Sequence, residues 1–173
     1  EKLTQEIEDR KRTEADLLCK EIDLRESEEF STSLLAHAPN PIIVFHPDSS
    51  IKYVNPALEK LTGFSAAESI GKKVPYPWWL PDDVDLTRRE FEQALQIGLN
   101  RFEKCFQAKN GVPFWVEITF NKVKSNGELK YYLANWVDIT ERKRTEAALR
   151  DSEATARALL NAPGDVVVLL DTR

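Results

Sequence analysis

Residues 114–144 read FWVEITFNKVKSNGELKYYLANWVDITERKR and contain the clearest strand and turn signals of the chain. Apolar and polar residues alternate along 114–121, which predicts a strand with one dry and one largely wet face. Ser125-Asn126-Gly127 is a hairpin turn signal, and a second strand is predicted over 129–138 after it. Strands joined by a short turn are antiparallel, so the stretch predicts an antiparallel sheet that leads into a charged helix.

The residues upstream add further strands and helices. Strands are predicted over 41–46, 51–54 and 101–108. Asn55 followed by Pro56 begins one short helix, and a capping box of Ser65 and Glu68 begins another. Apolar residues at helical spacing predict a longer helix over 85–99. This order of elements predicts an α+β domain in which helices cover one face of an antiparallel sheet.

A charged segment occurs twice in the chain. Residues 7–17 (IEDRKRTEADL) and 139–149 (ITERKRTEAAL) are identical at eight of eleven positions, and an Ala-Pro pair and an apolar strand follow each. The first copy holds seven extra residues, one heptad, so its apolar stripe keeps its phase. We interpret the chain as a section of a tandem array. Its parts are a linker helix over 1–36, a complete domain over 37–140, a second linker helix over 141–161, and the first strand of a truncated domain over 162–173.

Composition argues against several classes of function. A net charge of −5 offers no basic surface for nucleic acid, and the basic runs at 10–12 and 142–144 lie among glutamates. No apolar run approaches the ~20 residues that cross a bilayer. Cys19 and Cys105 show neither zinc spacing nor a disulfide framework, which favours a reducing, cytoplasmic compartment. Because no triad, phosphate loop or ligand cluster is visible, we predict no catalytic residue and no metal site.

Four segments resemble PAS domains, the sensory modules of microbial signalling proteins. They are LLAHAPNPIIVF (34–45), YVNPALEKLTGFSAAESIGK (53–72), KNGVPFWVE (109–117) and VDITERKR (137–144). The resemblance covers about residues 27–144, and its most specific part is the Asp-Ile-Thr ending before a charged helix. It implies the PAS fold, with five strands in the spatial order 2-1-5-4-3 and a long helix at each end.

The resemblance also implies a signal relay at the end of the last strand, formed by Asp138, Ile139, Thr140 and Glu141. A carboxylate and a hydroxyl at a strand end can bond the free backbone donors of the next helix and fix its exit direction. Thr140 is either a hinge in this relay or simply a helix cap, and the two roles look the same in sequence.

Alternation predicts a set of apolar side chains that line the interior. They are Ile43, Phe45, Phe91, Phe106, Val116, Ile118, Ala134 and Trp136. These residues either pack a closed core or surround a small apolar or aromatic ligand.

The resemblance argues against the two cofactors best known in the family. The loop over 73–83 lacks the reactive cysteine of light-sensing flavin domains, and apolar or bulky residues (Phe106, Val116 and Trp136) stand where those domains place amides. The helix over 85–99 has no histidine that could ligate haem iron. We therefore predict no cofactor, with an unknown small ligand left open and with haem and photoactive flavin judged improbable.

Two apolar surfaces predict a partner. One is a thin stripe on the N-terminal helix, formed by Leu3, Ile7, Leu18 and Ile22. The other is the outer face of the sheet, where Trp115, Leu133 and Val137 are expected to be exposed. A thin stripe cannot hold a long helix alone in water, so either a second copy forms a coiled-coil dimer with it or the helix folds back on its own domain.

Together these features predict a non-catalytic sensory and signal-relay module of a multidomain protein, such as the sensor histidine kinase of a two-component system. Its expected partners are a second copy and the neighbouring PAS and output domains of the same polypeptide, with no nucleic acid and no membrane contact. The alternative is an interaction scaffold that spaces and dimerises its neighbours and binds no ligand.

Overall fold

One hairpin builds the centre of the sheet. The structure is a computed structural model that describes the backbone of residues 2–97 and 100–161 and the side chains of residues 10–96 and 101–158. Strand β4 (Pro113–Ser125) turns directly into strand β5 (Glu128–Asp138), with Asn126 and Gly127 at φ angles of 52° and 82°. Two consecutive left-handed residues match the right-handed twist of the flanking strands, which is why an Asn-Gly pair stands here.

The remaining strands lie on either side of this hairpin. They are β1 (Ile42–Phe45), β2 (Ile51–Val54) and β3 (Asn100–Gln107). The sheet order is β2-β1-β5-β4-β3, and every neighbouring pair is antiparallel. The predicted α+β class and strand order are therefore confirmed. Because β5 is the central strand, its C-terminal end is tied to both halves of the sheet.

Five α-helices complete the described chain. They are α1 (Lys2–His37), α2 (Pro56–Thr62), α3 (Ala66–Ser69), α4 (Val84–Ile97) and α5 (Thr140–Asn161). The Asn55 cap of α2 and the Ser65–Glu68 capping box of α3 form as predicted. The strand predicted over 162–173 lies outside the described residues, and the four-part division of the chain stays a prediction.

The core lies between the inner face of the sheet and the layer formed by α2, α3, α4 and residues 72–83. It is rich in aromatic rings: Phe45 lies 5.7 Å from Phe91 and 6.1 Å from Phe120, centroid to centroid. Edge-to-face and offset packing of this kind adds to the stabilisation from burial alone. The helices therefore cover the inner face of the sheet, and the outer face remains for other contacts.

Candidate functional site

The last strand and the outgoing helix meet at a junction that includes the predicted relay residues. The Asp138 carboxylate accepts a hydrogen bond from the Thr140 backbone N–H (2.9 Å). The Thr140 hydroxyl oxygen accepts one from the Trp115 backbone N–H (2.9 Å), and the Ile139 N–H donates to the Trp115 carbonyl (2.9 Å). Both backbone groups of Trp115, on β4, are thus bonded to the chain where it enters α5. We call Trp115 with residues 138–141 the output junction.

Charged side chains attach the first turn of α5 to the sheet beside the output junction. The Glu103 carboxylate on β3 pairs with the Lys143 ammonium (2.5 Å) and the Arg142 guanidinium (2.6 Å). Hydrogen bonds from Lys143 and Arg142 lower the pKa of Glu103. The Lys143 ammonium also lies 5.2 Å from the centroid of the Trp115 ring. The helix therefore leaves the sheet in a direction that both hydrogen bonds and charges fix.

The predicted relay residues take different positions in this junction. The Ile139 side chain is buried (7% exposed) and anchors the chain as it leaves β5. Glu141 faces solvent and pairs with Arg144 of the same helix at 3.9 Å. The junction thus brings Asp138, Ile139 and Thr140 together with β4, while the Glu141 side chain stays at the surface of α5.

A second junction holds the end of the incoming helix. Asn55 is fully buried, and its side-chain oxygen accepts hydrogen bonds from the backbone N–H groups of Ile42 (2.9 Å) and Leu58 (3.2 Å). Its amide nitrogen donates to the Asn40 carbonyl (2.9 Å), and longer contacts of 3.3 and 3.4 Å reach two carbonyls at and just after the end of α1. This one side chain joins α1, β1 and α2, and we call it the input junction.

The sequence identifies Asn55 only as a helix N-cap, and its bonds to α1 and β1 were missed. We call the full set of hydrogen bonds that the Asn55 side chain makes the Asn55 clamp. A cap bonds a residue three positions away, and that spacing is visible in the pattern of a single helix. The other partners of Asn55 are 13 to 20 residues away, and no local pattern signals them. The sequence signal that could have revealed these bonds was the position of Asn55, a polar residue between a buried strand and a helix.

The two junctions are connected through neighbouring strands. β1 pairs with β5, and the backbone N–H of Trp136 donates to the carbonyl of Pro41 (2.9 Å). Pro41 directly follows Asn40, which Asn55 holds, and Trp136 lies two residues before Asp138. One inter-strand hydrogen bond and a few residues of backbone therefore link the incoming helix to the outgoing helix.

The residues predicted to line the interior are all buried, with side chains at most 7% exposed. Five of them border a cavity of about 20 Å³: Phe45, Phe91, Phe106, Ile118 and Trp136. The other three, Ile43, Val116 and Ala134, pack in the core away from this cavity. Whether the cavity takes a ligand stays a prediction.

Three aromatic residues of the covering loop also reach into the interior. Tyr76, Trp78 and Trp79 are 4%, 0% and 5% exposed, and they border the same cavity. The Trp78 ring meets the Trp136 ring edge to face at 5.7 Å. Burial raises the pKa of Tyr76, whose hydroxyl donates to the carbonyl of Ser49 (2.7 Å). Prolines predict a loop here, but they do not indicate which way its rings face.

The stripe on α1 is exposed where its side chains are described. Leu18 and Ile22 are 59% and 48% exposed, and whether a second helix covers them stays a prediction. The side chains of Leu3 and Ile7 lie outside the described residues. The stripe therefore remains available for a second helix along residues 18–22.

The outer face of the sheet is only partly as predicted. Trp115 and Val137 are 36% and 41% exposed. Leu133 is half-buried rather than exposed, because it lies on the central strand between Val44 of β1 and Asn121 of β4. The exposed apolar part of this face is therefore smaller than the sequence predicted, and it lies next to the output junction.

Two negative findings apply to residues 2–97 and 100–161. In that part of the chain, no three His, Cys, Asp or Glu residues are placed to hold a metal ion together. None of its helices combines the length and the hydropathy of a membrane span.

The chain is similar to named sensor proteins. It is 30% identical over 118 residues to a blue-light-activated histidine kinase of Brucella anthropi, and the aligned region covers 63% of this chain and 23% of that protein. It is 28% identical over 172 residues to the sensor protein FixL of Bradyrhizobium diazoefficiens, and the aligned region covers 95% of this chain and 32% of that protein. The chain thus spans about a quarter to a third of the length of these relatives.

A solved structure supports the fold and bears on the cofactor. An RNA-binding light-oxygen-voltage receptor superposes with a TM-score of 0.65 at 25% identity, over 73% of this chain and 37% of that one. This receptor and the kinase of Brucella anthropi respond to light, and blue light requires a chromophore because protein side chains absorb only in the ultraviolet. The sequence-based prediction that the chain binds no cofactor, and that haem and photoactive flavin are improbable, is therefore wrong.

The packing of the interior nevertheless limits what fits without movement. The enclosed cavity of about 20 Å³ is too small for a three-ring flavin, and Trp78 or Trp136 would have to move to admit one.

A model of the family described as PAS domain matches residues 39–141, which is more than half of the chain. This match agrees with the sheet order and with the named relatives. The chain belongs to the PAS domain family.

Proposed function

We propose that this chain is the sensory and signal-relay module of a larger sensor histidine kinase and is not itself catalytic. The observation that carries the proposal is the connection between the two junctions. Asn55 holds the end of α1, Thr140 and Asp138 hold the start of α5, and a Trp136–Pro41 hydrogen bond joins the strands between them. The histidine kinase of Brucella anthropi and the sensor protein FixL support this role, since the chain is similar to part of each.

The proposed mechanism is a shift between two positions of α5. A ligand, a partner or a neighbouring domain that favours one arrangement of the sheet changes the hydrogen bonds that Trp115 makes to Ile139 and Thr140. A bias of a few kcal/mol, about 5.5 for a complete switch, moves such an equilibrium. The charge pairs of Glu103 are partly exposed and water can replace them, so α5 can be repositioned at modest cost.

The proposed partners are a second copy and the neighbouring domains of the same polypeptide. Leu18 and Ile22 would meet their counterparts in a dimeric coiled coil, with Trp115 and Val137 as a further contact on the sheet. Mass from light scattering tests this, since Leu18→Glu with Ile22→Glu should halve the mass of a dimer. A wild-type protein that stays monomeric at high concentration would contradict it.

The proposed division of the chain follows the internal repeat. Residues 1–36 and 141–161 would act as linker helices on either side of the domain at 37–140, and residues 162–173 would begin another domain. Such an array carries rotation along helices that keep heptad phase. A cytoplasmic location stays a prediction.

Helical phase tests the relay directly. Residues 1–149 are joined to the kinase portion of the histidine kinase of Brucella anthropi, in the register in which the two proteins align, with zero to eight residues inserted after Leu149. Seven residues turn a helix to within about 20° of its starting phase, whereas two or five turn it about 200° or 140°. The relay therefore predicts kinase activity that changes at two and five insertions and returns at seven.

The control for this experiment separates the junction from the linker. Thr140→Val should flatten the dependence on insertion length, while Thr119→Val, on the outer face of β4, should leave it intact. Equal activity at every length, or a pattern unchanged by Thr140→Val, would contradict the relay. That result would support the second candidate function, a spacer scaffold, which the dense aromatic packing of the interior favours.

A further inference from the structure

Two buried polar atoms border the interior cavity without a hydrogen-bond partner. They are the Trp78 indole nitrogen and the Thr87 hydroxyl oxygen, and neither has a partner in the part of the chain that the structure describes. Trp78 is 0% exposed and Thr87 is 4% exposed, and both line the cavity of about 20 Å³. Buried polar groups are normally paired, so each unpaired one calls for an explanation.

Most of the cavity wall is aromatic. Phe45, Phe91 and Phe106 border it together with Trp78, so most of the surface that meets an occupant is apolar. An occupant must therefore have a flat apolar body that packs against rings, and it must offer an acceptor, because an indole N–H can only donate.

The two charged residues that border the cavity favour an uncharged occupant. Glu90 of α4 and Lys104 of β3 border the cavity, and the Lys104 ammonium lies 2.8 Å from the Glu90 carboxylate. The lysine side chain is 11% exposed and its charge is already compensated. An ionised ligand among the rings would thus lack a free counter-charge, which is costly in an apolar site.

We propose that the cavity between α4, β3 and the 72–83 loop binds a small, uncharged, planar molecule through an acceptor atom that bonds Trp78 and Thr87. The Lys104–Glu90 pair joins β3 to α4 beside the bound ligand. The enclosed part of the cavity takes the polar end, since about 20 Å³ holds one water-sized group. The ring of the ligand lies in the rest of the pocket, which amounts to about 360 Å³ when the part open to solvent is included.

The proposed ligand gives the proposed sensory function a class of molecule to sense. Only the effect of ligand binding on signalling rests on that proposed function. Binding itself is measured on the isolated chain. A failure to bind would leave the insertion pattern of the kinase fusion unchanged, and a flat insertion pattern would leave the binding result unchanged. The two proposals therefore fail separately.

Three probes of similar size test the chemistry of the site. Acetophenone carries a carbonyl acceptor on a ring, ethylbenzene lacks the acceptor, and benzoate is charged. In ¹H–¹⁵N spectra, with Trp78→Phe used to assign the indole signal, acetophenone should shift the Trp78 signal saturably. Ethylbenzene and benzoate should leave it in place. No saturable shift with acetophenone, or an equal shift with all three, would overturn the proposal.

Thr87→Val supplies a second, independent measurement. Valine matches threonine in shape and removes the unpaired hydroxyl, so the free protein should gain roughly 2–4 °C in Tm, and acetophenone should bind about five- to tenfold more weakly. Thr119→Val, at an exposed position, is the matched control and should change neither quantity. A lower Tm for Thr87→Val would mean that a buried water or the protein already satisfies the hydroxyl, and it would also overturn the proposal.

Discussion

Replacing Asn55 with alanine should loosen the incoming helix and destabilise the whole domain. The substitution leaves the backbone N–H groups of Ile42 and Leu58 without their acceptor and the Asn40 carbonyl without its donor. An orphaned buried group costs about 1–3 kcal/mol. Because Leu58 is fully buried and Ile42 is half-buried, we expect the free energy of unfolding to fall by about 3 kcal/mol in total.

Equilibrium denaturation by urea measures this loss, and hydrogen exchange locates it. Exchange should rise at residues 35–42 and at the first turn of α2, where the bonds to Asn55 end. Asn135→Ala is the matched control, since Asn135 is exposed on β5, and its free energy of unfolding should change by less than about 0.5 kcal/mol. An Asn55→Ala protein within that same margin of wild type would refute the clamp.

Asn55→Asp separates the two halves of the clamp. The aspartate keeps the acceptor for Ile42 and Leu58 but turns a carboxylate toward the carbonyl of Asn40, so it should destabilise the protein at pH 7. Burial and these carbonyls raise the folded-state pKa of the new carboxyl above its unfolded value. The folded state then holds its proton more tightly, and the deficit relative to wild type should shrink as the pH falls. A deficit that stays constant down to pH 4 would contradict this geometry.

Three further predictions concern the output junction and the cysteines. Thr140→Val removes the acceptor for the Trp115 N–H, so it should cost about 0.5–1.5 kcal/mol in denaturation and raise exchange in the first turn of α5. Lys143 and Arg142 lower the pKa of Glu103, so its contribution is fully present above the unfolded pKa of 4.5 and is lost as the pH falls through the folded value. Exchange at the start of α5 should accordingly rise below about pH 4 in wild type and lose this dependence in Glu103→Gln. Cys19 is exposed, whereas burial raises the pKa of Cys105, so iodoacetamide should label Cys19 first at pH 7.5, as mass spectrometry of peptides would show.

The parts of the fold that local chemistry controls were predictable from the sequence. The Asn126-Gly127 turn, the Asn55 cap and the Ser65–Glu68 box each depend on residues within a few positions of one another, so their patterns can be read directly. Alternation along β4 and β5 likewise identified buried residues of the interior. The strand order does not follow from these local patterns; the resemblance to PAS domains implied it, and the structure confirms it.

The parts that depend on tertiary docking were not predictable in this way. Nothing near Trp78 in the sequence indicates that its ring fills the cavity, because a proline-rich loop can turn its side chains to either face. Alternation alone predicts an exposed Leu133, yet its place on the central strand puts Val44 beside it. Thr87 lies on a helix whose pattern gives no sign that its hydroxyl lacks a partner. The candidate site thus consists largely of contacts that the folded chain creates.

The two junctions differ in kind, and the difference favours a relay that moves its outgoing helix. Neutral hydrogen bonds to a fully buried Asn55 form the input junction, so opening it leaves several polar groups unpaired in a dry interior. At the output junction, partly exposed ion pairs of Glu103 supplement the bonds to Trp115, and water replaces such pairs at little cost. Strain that reaches the sheet from either side should therefore be released at α5 before it is released at α1, because the cheaper contacts break first.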